Sequence, residues 1–262
     1  MKPAVLLLPG MTLNASIFPK LDVPTIDVDF TRMVLGPRGS SPSLLERRMA
    51  LYVERLDERL NAEEAWQQAS RRIVVGHSFG GMLTLAWWLA NGGKANARVD
   101  GLVLTATTCG PMLRRSSIRL GSRGLRIPVP LVMPVLNLAP VTRLMKRWWG
   151  NEPDDHPVNF QAMSDKSDWA IDMAGWRNTD WRAMRSYRLA MMGFDVRDRL
   201  KEITVPSIVL CGPTDHLFDL SVGRELAKGL GADLRIIPEA GHGLPLTHGD
   251  AVIKAVRDLI GA

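Results

Sequence analysis

Short apolar runs alternate with longer helical patterns along most of the chain. Buried strands are indicated where four or five mostly apolar residues end at a turn, at residues 4–8, 72–75, 102–105, 207–211 and 234–237. Helices are indicated by longer apolar or amphipathic segments, at residues 43–60, 81–90, 220–230 and 250–260. This alternation predicts an α/β fold with a mostly parallel central sheet flanked by helices.

The pattern also divides the chain. Residues 1–111 and 196–262 keep the alternation and are predicted to form one catalytic core, whereas residues 112–195, here called the insert, show no strand pattern. The insert holds five of the eight tryptophans and eight of the thirteen methionines. We therefore predict a helical cap whose aromatic and Met side chains form its core and partly line an apolar substrate pocket. The candidate pocket residues are Met145, Trp148 and Trp149.

Residues 76–80 read Gly-His-Ser-Phe-Gly and lie between a predicted strand and a predicted helix. This context is typical of a nucleophile elbow, in which a sharp turn exposes the serine hydroxyl. The helix behind the turn directs free backbone N–H groups towards negative charge that develops there. Ser78 is therefore the candidate nucleophile. The alternative is a glycine-rich, phosphate-binding turn with an incidental serine.

A serine hydroxyl is a poor nucleophile and needs a neighbouring base. The chain has five histidines. His242 follows the predicted strand at 234–237 and lies between two glycines, on a loop that can approach the serine. His242 is the candidate base, and His216 and His248 are its competitors. His248 precedes the last predicted helix and is expected near its N-terminal cap.

The base in turn needs a carboxylate that orients it. Asp215 lies on the turn after the predicted strand at 207–211, so it is the candidate acid. Asp219 is the rival, but it directly precedes the helix at 220–230 and is better explained as a helix N-cap. The chain order is then Ser78, Asp215, His242, which is the order of the α/β-hydrolases.

With this order, the chain resembles the α/β-hydrolases of the esterase, thioesterase and C–C hydrolase superfamily over nearly its full length. Residues 6–12 are similar to the early strand and oxyanion loop of that family, although Pro9 stands where relatives often have histidine. The resemblance implies an oxyanion hole formed by the backbone N–H groups of Met11 and Phe79. Residues 13–16 are also similar to the pimeloyl carrier-protein methyl ester esterases of biotin synthesis.

Positive charge is concentrated in the insert. It has 13 basic and 8 acidic residues, a balance of +5 in a chain of formal net charge +6, and residues 112–151 have eight basic residues and no acidic one. Such a field attracts anionic partners. The candidates are an acidic carrier protein, a coenzyme A phosphate, an anionic membrane surface or a substrate carboxylate, with Arg114 and Arg115 as candidate contacts. A solvated surface is the alternative, and nucleic acid is not expected because no binding motif accompanies the charge.

The remaining features bound the function. No Cys/His metal cluster, P-loop or dinucleotide fingerprint is present, so neither a metal nor an organic cofactor is expected. The first residues are too short for a signal peptide, and no stretch reaches transmembrane length. Cys109 and Cys211 are expected to be buried free thiols, which favours a cytoplasmic location.

The predicted function is hydrolysis of a small-molecule acyl ester or thioester through an acyl-enzyme intermediate. The same three residues could instead serve C–C bond hydrolysis, a lyase reaction or acyl transfer, because function depends on the pocket rather than the fold. A non-catalytic ligand-binding protein is the third hypothesis.

Overall fold

The computed structural model describes residues 2–30, 33, 49–91, 98–111, 117–120, 125–128, 135, 138–149 and 158–261. The strands in these ranges are β1 (Ala4–Leu8), β2 (Thr25–Asp27), β3 (Arg72–His77), β4 (Gly101–Thr105), β5 (Ser117–Leu120), β6 (Leu125–Pro128), β7 (Ser207–Cys211) and β8 (Asp233–Ile236). Six of them form a parallel sheet in the order β2-β1-β3-β4-β7-β8. The predicted α/β architecture is confirmed.

The helices follow the predicted pattern in both core segments. Those described are α1 (Met49–Asn61), α2 (Glu64–Gln67), α3 (Phe79–Asn91), α4 (Ala139–Trp149), α5 (Asp168–Asn178), α6 (Trp181–Met192), α7 (Leu220–Leu230), α8 (Leu244–Thr247) and α9 (Gly249–Gly261). Short 3₁₀ turns occur at Ala15–Ile17, Phe160–Met163 and Arg197–Glu202. The first part of the predicted helix at 43–60 lies outside the described residues, and its remainder is α1.

The two faces of the sheet support separate hydrophobic cores, because successive strand residues point to opposite faces. Leu6 and Val74 lie in one core, together with buried residues of α1 and α3. Val5 and Val75 lie in the other, together with the apolar face of α9. Burial on both faces explains why these strands read as continuous apolar runs rather than as an alternation.

The ends of α7 show how local sequence sets helix bounds. Asp219 accepts a hydrogen bond from the backbone N–H of Ser221 at 2.7 Å and so caps the helix. Gly231 follows the last turn with a φ of 63°, the left-handed conformation that glycine adopts without strain. The predicted role of Asp219 as an N-cap is therefore confirmed.

The insert connects β4 to β7 and contains α4, α5 and α6. It also contains β5 and β6, which pair in antiparallel register, with Ile118 opposite Ile127. The expectation that residues 112–195 hold no strand was therefore wrong. Each of these strands has only four residues, which is too short for an alternating pattern to stand out from an irregular segment.

The topology creates a crevice at the carboxyl ends of β1 and β3. The chain runs from β1 outwards to β2 on one side and from β3 to β4 on the other, and ligands bind in α/β proteins where the strand order reverses in this way. The loops after β1, β3, β7 and β8 all open at this edge of the sheet. No helix in the described parts of the chain is long and apolar enough to cross a membrane.

Candidate active site

Ser78 occupies the turn between β3 and α3, and its φ of 51° lies in the left-handed region that non-glycine residues seldom adopt. The neighbouring glycines make this turn possible. A side chain at Gly80 would overlap the carbonyl of Leu8, and a Cβ at Gly76 would lie only 2.8 Å from the Cα of Gly81. The two glycines of the motif therefore allow strand, turn and helix to approach closely around an accessible serine.

The three residues predicted from chain order meet at this turn. The Nε2 atom of His242 lies 3.1 Å from the Oγ of Ser78, and its Nδ1 lies 3.1 Å from the Oδ2 of Asp215. The side chains of His242 and Asp215 are 4% and 2% exposed. The arrangement is a hydrogen-bonded relay from a buried carboxylate, through an imidazole, to a hydroxyl.

The electrostatics of the buried pair favour its charged form. Burial raises the pKa of Asp215, but His242 and the N–H groups of Leu217 and Phe218 outweigh that effect and hold the pKa below its ordinary value. Burial likewise lowers the pKa of His242, but the adjacent Asp215 carboxylate outweighs it, and the pKa lies above its ordinary value. The imidazole is thus prepared to accept a proton.

The loops that bear the acid and the base are joined to each other. Both the backbone N–H and the hydroxyl of Thr214 donate to the carbonyl of Ala240, at 3.1 and 2.9 Å. A side chain at Gly212 would overlap that same carbonyl. The absence of a side chain at this glycine lets the loops after β7 and β8 meet, which sets the spacing between Asp215 and His242.

Two other histidines lie beside His242 and differ from it in protonation. His77 is fully buried, with Nδ1 3.3 Å from the carbonyl of Thr105, and burial lowers its pKa to about 3. His216 lies 3.2 Å from the carboxylate of Asp172, and its acidic neighbours raise its pKa to about 10. The Nε2 of His216 thus faces a carboxylate that favours its protonated form, whereas the Nε2 of His242 faces Ser78, so the geometry favours His242 as the base.

The other competitor for the base is His248. His248 lies between α8 and α9, where the sequence places it, and its Nδ1 is 2.9 Å from the hydroxyl of Thr247. His156 lies outside the described residues.

The predicted oxyanion loop lies next to the serine. Phe79 is the first residue of α3, where a backbone N–H has no acceptor within the helix. Met11 lies in the turn after β1 and, like Ser78, lines the cavity at the site. A Cβ at Gly10 would be 3.3 Å from the Cβ of Ser78, so this turn closely approaches the candidate nucleophile.

A cavity of about 560 Å³ opens onto Ser78 and His242. Met145, one of the candidate pocket residues, is part of its lining. Trp148 and Trp149 end α4, and their side chains are outside the described parts of the structure, as are Arg114 and Arg115 altogether. The composition of the insert pointed to Trp and Met in the pocket, but sequence reasoning missed the residues that α5, α6 and the acid loop contribute, namely Trp169, Asp172, Met173, Trp176, Met191, His216 and Leu217.

Comparison with known proteins identifies the family to which this fold belongs. The model of the Alpha/beta hydrolase family matches residues 5–255. The chain belongs to the α/β hydrolase family.

Solved structures of other α/β hydrolases cover nearly the whole chain. One is a hydrolase from Pseudomonas aeruginosa PA01, at 20% identity and a TM-score of 0.65, covering 100% of this chain and 91% of that one. Another is a thermophilic esterase from Thermogutta terrifontis, at 18% identity and a TM-score of 0.68, covering 99% and 90%. A third is MenH from S. aureus, at 17% identity and a TM-score of 0.63, covering 99% and 93%. At these identities the likeness concerns the fold.

A local match occurs among curated proteins. A segment of 62 residues is 36% identical to the 2-succinyl-6-hydroxy-2,4-cyclohexadiene-1-carboxylate synthase of Serratia proteamaculans (strain 568). The segment spans 24% of this α/β hydrolase and 22% of the synthase. Less than a quarter of that relative's length is therefore matched.

Proposed function

We propose that this α/β hydrolase is a serine hydrolase that cleaves a carboxylic ester or thioester through an acyl-enzyme intermediate. The observation that carries the proposal is the relay of two 3.1 Å contacts from Asp215 through His242 to Ser78. A nucleophile, a base and an orienting carboxylate in this geometry are the requirements of nucleophilic acyl transfer.

In the proposed reaction, Ser78 Oγ attacks the acyl carbonyl carbon while His242 Nε2 takes its proton. Asp215 holds the imidazole in the required tautomer and stabilises the imidazolium. The N–H groups of Met11 and Phe79 bind the oxyanion, each contributing about 3 kcal/mol to transition-state stabilisation. His242 then protonates the leaving alcohol or thiol, and a water molecule, deprotonated by the same base, releases the acid and restores Ser78.

The lining of the cavity supports an apolar, uncharged acyl group as the substrate. Its volume is in the range of small-molecule sites, and its wall is largely Met, Leu and Trp. Among the lining residues that the structure describes, His216 has the pKa that is raised to about 10, and it is already paired with Asp172. We infer that the insert serves as a cap, because α5 and α6 supply part of this wall.

A lyase or C–C bond hydrolase is the second candidate. The local match to the cyclohexadiene carboxylate synthase, together with the fold shared with MenH, favours it. The same relay could activate Ser78 or deprotonate a substrate carbon. The pairing of His216 weighs against a carboxylate substrate of the kind that the name of the synthase describes, so we place ester hydrolysis first.

The finer assignments belong to the same proposal. The substrate is a small molecule, and an acidic carrier protein could present it to the basic insert. We propose the cytoplasm as the location, because Cys109 and Cys211 are both buried and unpaired, as expected of thiols in a reducing compartment.

A fluorophosphonate label tests the proposal, since it reacts with an activated serine and not with an inert one. The wild-type protein should be labelled on the peptide that contains Ser78. Ser78→Ala should keep its circular dichroism spectrum, lose the label and lose about 10⁶ in kcat on an ester that the wild type hydrolyses. A panel of acyl esters, thioesters and carboxylated diketones then separates the two candidates. An unlabelled wild type that is inert on the esters and thioesters would refute serine hydrolysis.

A further inference from the structure

Asp168, the first residue of α5 in the insert, is bound to the loop that carries His242. Its Oδ2 accepts a hydrogen bond from the backbone N–H of His242 at 2.5 Å, and its Oδ1 accepts one from the N–H of Gly243 at 2.9 Å. The two oxygens of one carboxylate thus hold two consecutive peptide groups of the core. Asp168 binds the backbone of His242, whereas the relay runs through the imidazole ring, so Asp168 is not part of the relay itself.

The glycines on both sides of His242 are explained by this carboxylate. A side chain at Gly241 would overlap the Oδ2 of Asp168, and a Cβ at Gly243 would lie 2.8 Å from its Oδ1. Neither glycine has a positive φ in the structure, so backbone freedom is not what this loop requires of them. The Gly-His-Gly sequence leaves space for a side chain that comes from 74 residues away along the chain.

Charge stabilises the same contact. Burial raises the pKa of Asp168, but His216 and the two N–H donors outweigh it and hold the pKa below its ordinary value. The ring of His216 lies 3.9 Å from Asp168 and 3.2 Å from Asp172, one turn further along α5. The acid loop and the base loop are therefore both attached to α5, one by an ion pair and one by hydrogen bonds.

We propose that Asp168 is a positioning residue of the insert, which sets the place of His242 against Ser78 and Asp215 by holding the backbone of its loop. This inference rests on the proposed function. A consequence is that the base is fully in place only when α5 is seated on the core. Seating of α5, which also lines the acyl cavity, then couples substrate binding to assembly of the catalytic base.

Asp168→Asn is the sharpest test, since it keeps the shape of the side chain. An amide has one acceptor oxygen and an NH₂ group in place of the other. In the variant, this NH₂ group would face one of the two backbone N–H groups of the loop, and that hydrogen bond would be lost. We expect kcat on a small neutral ester to fall about 10²-fold, as for a misplaced catalytic group, with little change in KM. The downfield proton resonance of the His242–Asp215 hydrogen bond should shift or broaden in the same variant.

Asp165→Asn is the matched control. It makes the same substitution three residues away in the insert, at an exposed carboxylate that pairs with Lys166. It should leave kcat, KM and the downfield resonance unchanged. A comparable loss in both variants would mean a general disturbance of the insert and would overturn the proposal.

Gly243→Ala tests the same contact from the other side and keeps the proposal falsifiable if Asp168→Asn does not fold. Its Cβ displaces the carboxylate while Asp168 is intact, whereas Gly193→Ala, with open space around it, is the neutral control. The variant that combines Asp168→Asn with Gly243→Ala should lose no more kcat than the more damaged of the two single variants, because each substitution removes the same interaction. Unchanged kcat in the folded single variants, or additive losses in the double variant, would overturn the inference. Normal labelling of Ser78 in those proteins would leave the hydrolase proposal standing.

Discussion

The rings of His77 and His242 lie with their centroids 5.1 Å apart, yet their protonation preferences are opposite. Burial lowers the pKa of both. His242 has the carboxylate of Asp215 at 3.1 Å, which outweighs burial, whereas His77 has only the neutral carbonyl and hydroxyl of Thr105 beside its Nδ1. A single carboxylate therefore separates a proton acceptor from an inert core histidine.

Asp215→Asn tests the orienting role of the carboxylate. The variant should stay folded but favour the wrong tautomer of His242, and kcat should fall about 10⁴-fold, as for the corresponding change in serine proteases. Asp219→Asn is the control, because asparagine caps a helix as well as aspartate does and α7 should be unaffected. A large loss in Asp219→Asn together with a mild one in Asp215→Asn would refute the assignment.

The pH dependence of kcat/KM should report His242. The base must be neutral to accept a proton, and Asp215 and Asp172 raise its pKa above 6.5 although burial and His216 oppose them. Activity should therefore fall as the pH drops, with a midpoint above 6.5. A midpoint near 3 would implicate His77 instead.

His242→Ala should lower kcat as much as the loss of Ser78 does, and His248→Ala should lower it only slightly.

His216 should make the stability of the fold depend on pH. Asp168 and Asp172 raise its pKa from 6.5 to about 10, with Asp215 adding to the effect and burial opposing it. Its contribution to the free energy of unfolding is then fully present below pH 6.5 and is lost as the pH rises towards about 10. Denaturant unfolding at pH 6 and pH 10 should show a smaller difference for His216→Gln than for the wild type. An equal difference in the two proteins would contradict the ion pair.

Substitutions in α4 test whether the basic insert recognises an acidic partner. Arg143 and Arg147 are exposed on this helix, and replacing both with Gln should raise KM for a carrier-protein thioester with little change for a small neutral ester. The difference should shrink as salt rises, because charges beyond about 8 Å are screened at physiological ionic strength. Equal effects on both substrates would indicate damaged packing, and no effect on either would indicate a solvated surface.

The features that the sequence predicted are those that depend on neighbouring residues. The apolar runs of β1, β3, β4 and β7 indicate strands that are buried on both faces of the sheet. The glycines at 76 and 80 indicate a turn at which these positions have no space for a side chain. Asp219 could be recognised as a helix cap because a cap acts on the next few residues. The grouping of Ser78, Asp215 and His242 was predicted from their positions on turns that follow strands and from their order along the chain, which is that of the α/β-hydrolases.

Contacts between residues that are far apart along the chain were decided only by the tertiary structure. Ser78 and His242 are 164 residues apart along the chain, and Asp168 and His242 are 74 apart. No local pattern encodes such distances, since a carboxylate at the start of a helix looks the same whether it caps that helix or holds another loop. The hairpin of β5 and β6 was missed for a related reason: four-residue strands are defined by their pairing rather than by periodicity. The packing of α5 against the loops after β7 and β8 determines which residues line the pocket, and it brings Asp168 to the backbone of the His242 loop.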